Sequence, residues 1–400
     1  MGKKAKPRTQ PASTASAAEG VSLTRRMLVV GGGAAVAGLG IWGATALRKP
    51  GVPASAKKRG TIIGAGKYFT ADEPEKPKFV LCLIDLDGGR NTRIEFSFLG
   101  HGFSPDPTNA RRAVFFEKKG PGACEVDLVE GRVLRPITSP KNRHFYGHGA
   151  FTRDGKILFA AENNLDTYRG LIVIRDGKTF QELGEFPTYG MNPHDCHLID
   201  DGKTLAITNG GGTIDDATEI GAPSVTFVEV ESRKLVEKLT FSTPRINAGH
   251  LAFSRSRDVV TISAPRDGLP KEGPGGLTIR VGNGPFETVT SPENVVQRMI
   301  GETLSLTIHE ATGVLGTTNP TGNIVTFWDL KTKAFIKSLD LDTPRGIART
   351  LDDECLAVSQ GSGTVMLLSP ATLSPLPEQH LTDCKLAGSH IYAWDPYARA

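Results

Sequence analysis

Beyond residue 57 the apolar positions do not recur every three or four residues, as an amphipathic helix requires. They come in short β-branched and aromatic runs that end at Asp-Gly, Asn-Gly or Gly-Pro turns, which predicts strands and hairpins. Residues 148–163 and 194–209 show the unit most clearly. Each opens on a histidine, runs through one strand to a tight turn (Asp154-Gly155 and Asp201-Gly202), and continues as a second strand. A third copy opens at His250, and further copies run through residues 304–330 and 345–368.

The first strands of these copies start at His101, His148, His194, His250, about Thr303, Arg345 and His390, with spacings of about 42 to 56 residues, near the period of a four-stranded propeller blade. Seven starts predict an all-β fold, a seven-bladed β-propeller. The last start leaves chain for one strand only, whereas residues 61–65, 79–86 and 92–99 read as three strands without a first strand of their own. The ring is therefore expected to close by a C-terminal innermost strand joining three N-terminal strands, which removes exposed sheet edges at the seam.

Composition agrees with this reading. The 400 residues include 46 glycines and 26 prolines at 38% hydrophobic content, a turn-rich chain that still buries a large core. The net charge of +4 is misleading, because residues 1–56 carry eight Lys and Arg against Glu19 alone. The remainder is at about −3, with no net positive field for a phosphate backbone, so a nucleic-acid partner is not expected. Cys82, Cys124, Cys196, Cys355 and Cys384 are widely spaced without a C-x-x-C pair; one or two disulfides in an oxidising compartment stay open, without assigned pairing.

The two ends of the chain have different tasks. Residues 1–24 are polar, and Thr24-Arg25-Arg26-Met27-Leu28-Val29 leads into an apolar, Gly/Ala-rich run to Leu47. This resembles a twin-arginine signal, with Ala54-Ser55-Ala56 or Ala44-Thr45-Ala46 as the cleavage site. The expected division is signal over residues 1–56 and propeller over 57–400, with the twin-arginine export machinery as partner and the periplasm as destination. Residues 27–47 are also long enough to stay as a membrane anchor if uncleaved, the one membrane contact expected.

In a propeller the first residues of the inner strands ring one mouth of the central channel. His101, His148, His194, His250 and His390, five of the nine histidines, occupy such starts and would converge there from sequence-distant blades. Imidazole ligates iron, copper, zinc and nickel, so the ring is a candidate metal site; hydrogen bonding between blades is the alternative role. Aligned on the Asp-Gly turn, His194 stands one residue earlier than His148, which bears on whether the two side chains face the same way. Arg345 at the same mouth would favour an anionic ligand. Glu162, Asn163, Arg169, Asn209, Asn319 and Gln360 follow second strands and are candidate ligand contacts, or ordinary turn and surface residues. His144, His197, His309 and His380 lie off the repeated position. The chain has no G-x-S-x-G elbow or H-E-x-x-H helix, and Gly210-Gly211-Gly212 lacks the lysine of a phosphate loop.

Gly100-His101-Gly102-Phe103, Tyr146-Gly147-His148-Gly149, Ala161-Glu162-Asn163, Arg169-Gly170, Asn192-Pro193-His194, Thr208-Asn209-Gly210-Gly211 and His250-Leu251-Ala252, in this order over roughly residues 75–395, resemble domain-of-unknown-function family 1513. The chain departs from the family pattern at Tyr146-Gly147, where a second His-Gly is expected. The resemblance implies a twin-arginine-exported protein of bacterial iron-uptake gene clusters, with imelysin-like or dihaem-oxidoreductase-like proteins as neighbours and iron or copper as the metal. Three functions follow: an exported accessory protein holding a transition metal or its anionic chelate at the channel mouth, a lactonase-like or quinoprotein-dehydrogenase-like propeller enzyme, and a protein-docking scaffold.

Overall fold

A computed structural model describes residues 57–88 and 91–398; the signal reading of residues 1–56 lies outside them. Seven four-stranded antiparallel sheets form the seven blades of a β-propeller. In chain order, the inner strands of blades 1 to 7 are Gly100–Asp106, Arg143–Phe151, Pro193–Ile199, Leu251–Phe253, Ser305–His309, Pro344–Arg349 and Ile391–Trp394. Among the described residues no helix is long and apolar enough to cross a membrane.

The seam closes as the strand count predicts. Ile391–Trp394 is the innermost strand of blade 7, and the next three strands are Thr61–Tyr68, Lys78–Asp85 and Thr92–Phe96. Thr61, Ile62, Ile63 and Gly64 pair antiparallel with Trp394, Ala393, Tyr392 and Ile391. Trp394 also donates its Nε1–H to the Ala110 carbonyl of blade 1 at 2.6 Å, so the last strand joins two blades.

The strands are near-continuous apolar runs because each blade is covered on both faces. In blade 1, Ala113 and Phe115 pack toward blade 7 against Ile63, Leu81 and Phe96. The intervening Val114 and Phe116 pack toward blade 2 against Phe145, Leu158 and Ala160. The same alternation produces one hydrophobic cluster at each remaining seam. All five cysteines are buried free thiols inside these layers, and burial pushes Cys82 and Cys124 up to about 12. They are packing residues in their thiol form.

A buried histidine cluster at the channel axis

Four histidines meet on the axis, three on the inner strands of blades 1 to 3 and the fourth, His250, immediately before the inner strand of blade 4. His101, His148, His194 and His250 are all buried, and one ring nitrogen from each lies within 4.8 Å of the others. His194 Nε2 stands 3.0 Å from His250 Nε2 and 3.4 Å from His101 Nε2. The His148 Nε2 is buried without a partner among the described residues. His390 of blade 7 packs on the flank of the group, its ring 3.9 Å from that of His250 and 4.7 Å from that of His101; its Nε2 is also buried and unpartnered.

The one-residue offset between His148 and His194 is absorbed by bulges. Pairing between the first two strands shifts register at Gly100/Gly102, Phe145/Gly149 and Pro193/Cys196, in each case around the histidine. A bulge re-aims a side chain without moving the rest of the strand, and here it turns three imidazoles toward the axis. Gly147, at φ 122°, lies in the second of these bulges, and a Cβ there would strike the His101 ring; a side chain at 147 and the approach of His101 exclude each other.

Asp195, which the repeat pattern did not single out, organises the cluster. Its buried carboxylate accepts the amides of Cys196 and Leu251 at 2.8 and 3.1 Å and His197 Nε2 at 3.1 Å. Its oxygens lie 3.4 Å from His148 Nδ1 and 3.7 Å from His250 Nδ1. Burial alone would raise its pKa, but the attraction of His197, whose own pKa the carboxylate raises, and the hydrogen bond from its Nε2 outweigh burial and hold Asp195 well below the usual carboxylate range. A carboxylate facing Nδ1 favours the Nδ1–H tautomer and with it an inward Nε2 lone pair, the arrangement metal-ligating histidines use. The signal was in the sequence: aligned on the turn, Asp195 and not His194 takes the place of His148. His197, off the repeated position, lines the channel and contacts the same carboxylate.

Burial also holds His101, His148, His194 and His390 neutral. Desolvation, reinforced by the charge of Lys118 and by neighbouring imidazoles, keeps His101, His194 and His390 well below the ordinary histidine value. Desolvation brings His148 down to about 3 although Asp195 opposes it. Neutral imidazole is the ligating form. Nitrogens bound at about 2.1 Å to one ion stand about 3.0 Å apart at a right angle and about 3.4 Å apart at the tetrahedral angle; the His194–His250 and His194–His101 separations match these values, and a small inward shift of the remaining ring closes the set.

The other candidates stand elsewhere. Glu162 is fully buried in an ion pair with Arg175 at 2.6 Å and accepts Ser139 Oγ at 2.6 Å. Asn163 donates to Asn192 Oδ1 at 3.0 Å, and Asn209 bonds Thr188 and Thr226. Asn319 and Gln360 bond Thr303 and the Asp342 carbonyl, and Arg169 is exposed at the start of its strand. Arg345 donates through Nε to the Gly388 carbonyl at 3.1 Å, two residues before His390. His309 bonds Thr312 and the Asp353 carbonyl, away from the cluster.

Two cavities adjoin the histidines. One of 840 Å³ fills the channel beyond the cluster, walled by residues such as Phe103, Phe253, Ile347 and Tyr392, with His148, His250 and His390 at its end. The other, of 300 Å³, lies where the inner strands begin and has His194 in its wall.

Fold and site together define a seven-bladed propeller with a buried four-histidine group fit to hold a metal ion. The family model described as "Protein of unknown function (DUF1513)" matches residues 95–394. The chain belongs to that family. Among solved structures, Kuenenia stuttgartiensis hydrazine synthase is similar at a TM-score of 0.58 and 13% identity, over 81% of this chain and 99% of that one, a likeness of fold. No curated protein matches.

Proposed function

We propose that the protein binds one transition-metal ion, iron or copper, through Nε2 of His101, His148, His194 and His250, with His390 beside them, and serves metal uptake as an accessory protein exported to the periplasm by the twin-arginine route. The observation that carries the metal reading is the convergence of four buried imidazoles on one point, two of them backed by the Asp195 carboxylate. Interblade hydrogen bonding does not account for it, because the His148 and His390 Nε2 atoms have no protein partner among the described residues. Burying a polar atom unpaired costs about 1–3 kcal/mol, and a bound ion removes that cost. The Arg25-Arg26 pair ahead of an apolar run supports export, and membership of the family supports the uptake context and its imelysin-like or dihaem-oxidoreductase-like partners.

A second reading, a lactonase-like or quinoprotein-dehydrogenase-like enzyme, is favoured by the 840 Å³ cavity that ends on His148, His250 and His390, since ligand pockets have about this size. The first test is elemental mass spectrometry on full-length protein purified without chelator or affinity tag. Stoichiometric iron or copper, lost in the His148→Ala/His194→Ala variant while its melting curve stays cooperative, is the expected result. Equal metal content in variant and wild type would overturn the site.

A further inference from the structure

The 300 Å³ cavity has a charge and a position that the metal reading alone does not use. Lys118, Lys119, Arg266 and Lys271 line it against Asp267 and Glu302, an excess of two positive charges before any metal is bound. Lys118 pairs with Glu302 at 3.3 Å. Lys119 lies over the Tyr146 ring at 5.2 Å, and neither it nor Lys271 has a carboxylate within ion-pair distance among the described residues. Arg266 spends its donors on the carbonyls of Gly212, Asp216 and Gly221, so it shapes the wall while its charge remains. His194 is the cluster histidine that faces this space.

We propose that this pocket binds a small polycarboxylate anion, whose oxygens complete the coordination of the metal held by the histidines. The inference rests on the metal reading of the same cluster. Imidazole ligands bring no charge to a metal, so the charge of a dication is compensated only by Asp195, which stands behind His148 and His250. A buried centre of that charge draws an anion, and the lysines lie on the side from which one arrives. With about 300 Å³ the pocket has room for a small chelator. Carboxylate oxygens meet both needs, as acceptors for ammonium donors and as ligands for iron or copper.

The experiment titrates the copper(II)-loaded full chain with oxalate and, as uncharged control, imidazole, following the copper ligand-field band, for wild type and Lys118→Met/Lys119→Met. Metal content is measured on the same samples. The expected result is an oxalate affinity lower by on the order of tenfold in the variant, with imidazole affinity and copper content unchanged. Unchanged oxalate affinity, or an equal loss for oxalate and imidazole, overturns the pocket. Should the chain take up neither copper nor iron, the metal reading fails by itself. Calorimetry of the metal-free chain with oxalate then decides: binding lost in the variant supports the pocket, and no binding refutes it.

Discussion

Replacing Asp195 by Asn removes one charge and almost no volume, so it isolates the electrostatic role of that carboxylate. In the wild type, both oxygens accept: one faces Cys196 N and His148 Nδ1, the other Leu251 N, His197 Nε2 and His250 Nδ1. An amide has a single acceptor oxygen, so its NH2 group must face donors on one side. There a histidine shifts to the Nε2–H tautomer or a backbone amide goes unpaired. The first outcome takes an Nε2 lone pair out of the metal site; the second costs stability. Losing such an outer carboxylate lowers metal affinity about 10- to 100-fold, which is about 1.4–2.8 kcal/mol. Each amide left unpaired costs a further ~1–3 kcal/mol of folding stability. Asp195→Asn is therefore expected to bind copper or iron at least tenfold more weakly in competition with a chromophoric chelator, with a lower melting temperature. An affinity within about twofold of wild type, under conditions where His148→Ala loses its metal, would refute the claim that Asp195 orients the ligands.

Two other perturbations test the scaffold. Deleting residues 389–400 removes Ile391 and Trp394 from the seams on either side of blade 7 and unpairs Thr61–Gly64. At ~2–5 kcal/mol for the isoleucine and ~3–5 for the tryptophan, against about 5–15 kcal/mol for a whole domain, the truncated ring should lose its single cooperative melting transition by circular dichroism. A transition within a few degrees of wild type would show that the seam is not closed by this strand. The second perturbation uses Asp258, whose carboxylate accepts Lys331 Nζ and Ser254 Oγ at 2.6 Å and Ser256 Oγ and the Gly282 amide at 2.9 Å. Burial opposes its ionisation, but these donors outweigh burial and hold it at about 2. A carboxyl depressed below its unfolded value of about 3.9 stabilises the fold fully above that pH and progressively less as pH falls toward 2. Discounted for the half-exposed Lys331, the contribution is roughly 1–2 kcal/mol. Asp258→Asn should melt lower than wild type at pH 7, with the gap narrowing between about pH 4 and 2; a gap that stays constant with pH would contradict the assignment.

The ring was legible in the order of residues. Short β-branched and aromatic runs broken by Asp-Gly turns are local signals, so they fix strands and hairpins wherever they occur, and counting them gave seven blades. The unmatched strands at the two ends gave the closure for the same reason: a lone Ile391–Trp394 strand and a three-stranded Thr61–Phe96 segment each leave an edge that the other satisfies. The repeat also marked His101, His148, His194, His250 and His390, because equivalent positions in successive blades point at one axis.

Tertiary structure decided what those histidines face. Bulges at residues 100–102, 145–149 and 193–196 set the direction of three of the rings, and a bulge reflects the competition between strand pairing and side-chain packing, not a residue type. Whether a polar residue after a second strand reaches the axis or a neighbouring blade is likewise set by the seams. Glu162 pairs with Arg175 in the interior, and Asn209 ties Thr188 to Thr226. Asp195 is one residue from a marked histidine, yet its role needs His148, His197 and His250 of three blades around one carboxylate. The same carboxylate accepts the Leu251 amide from 56 residues away, a separation that no local pattern encodes and that only the closed ring brings within hydrogen-bond reach.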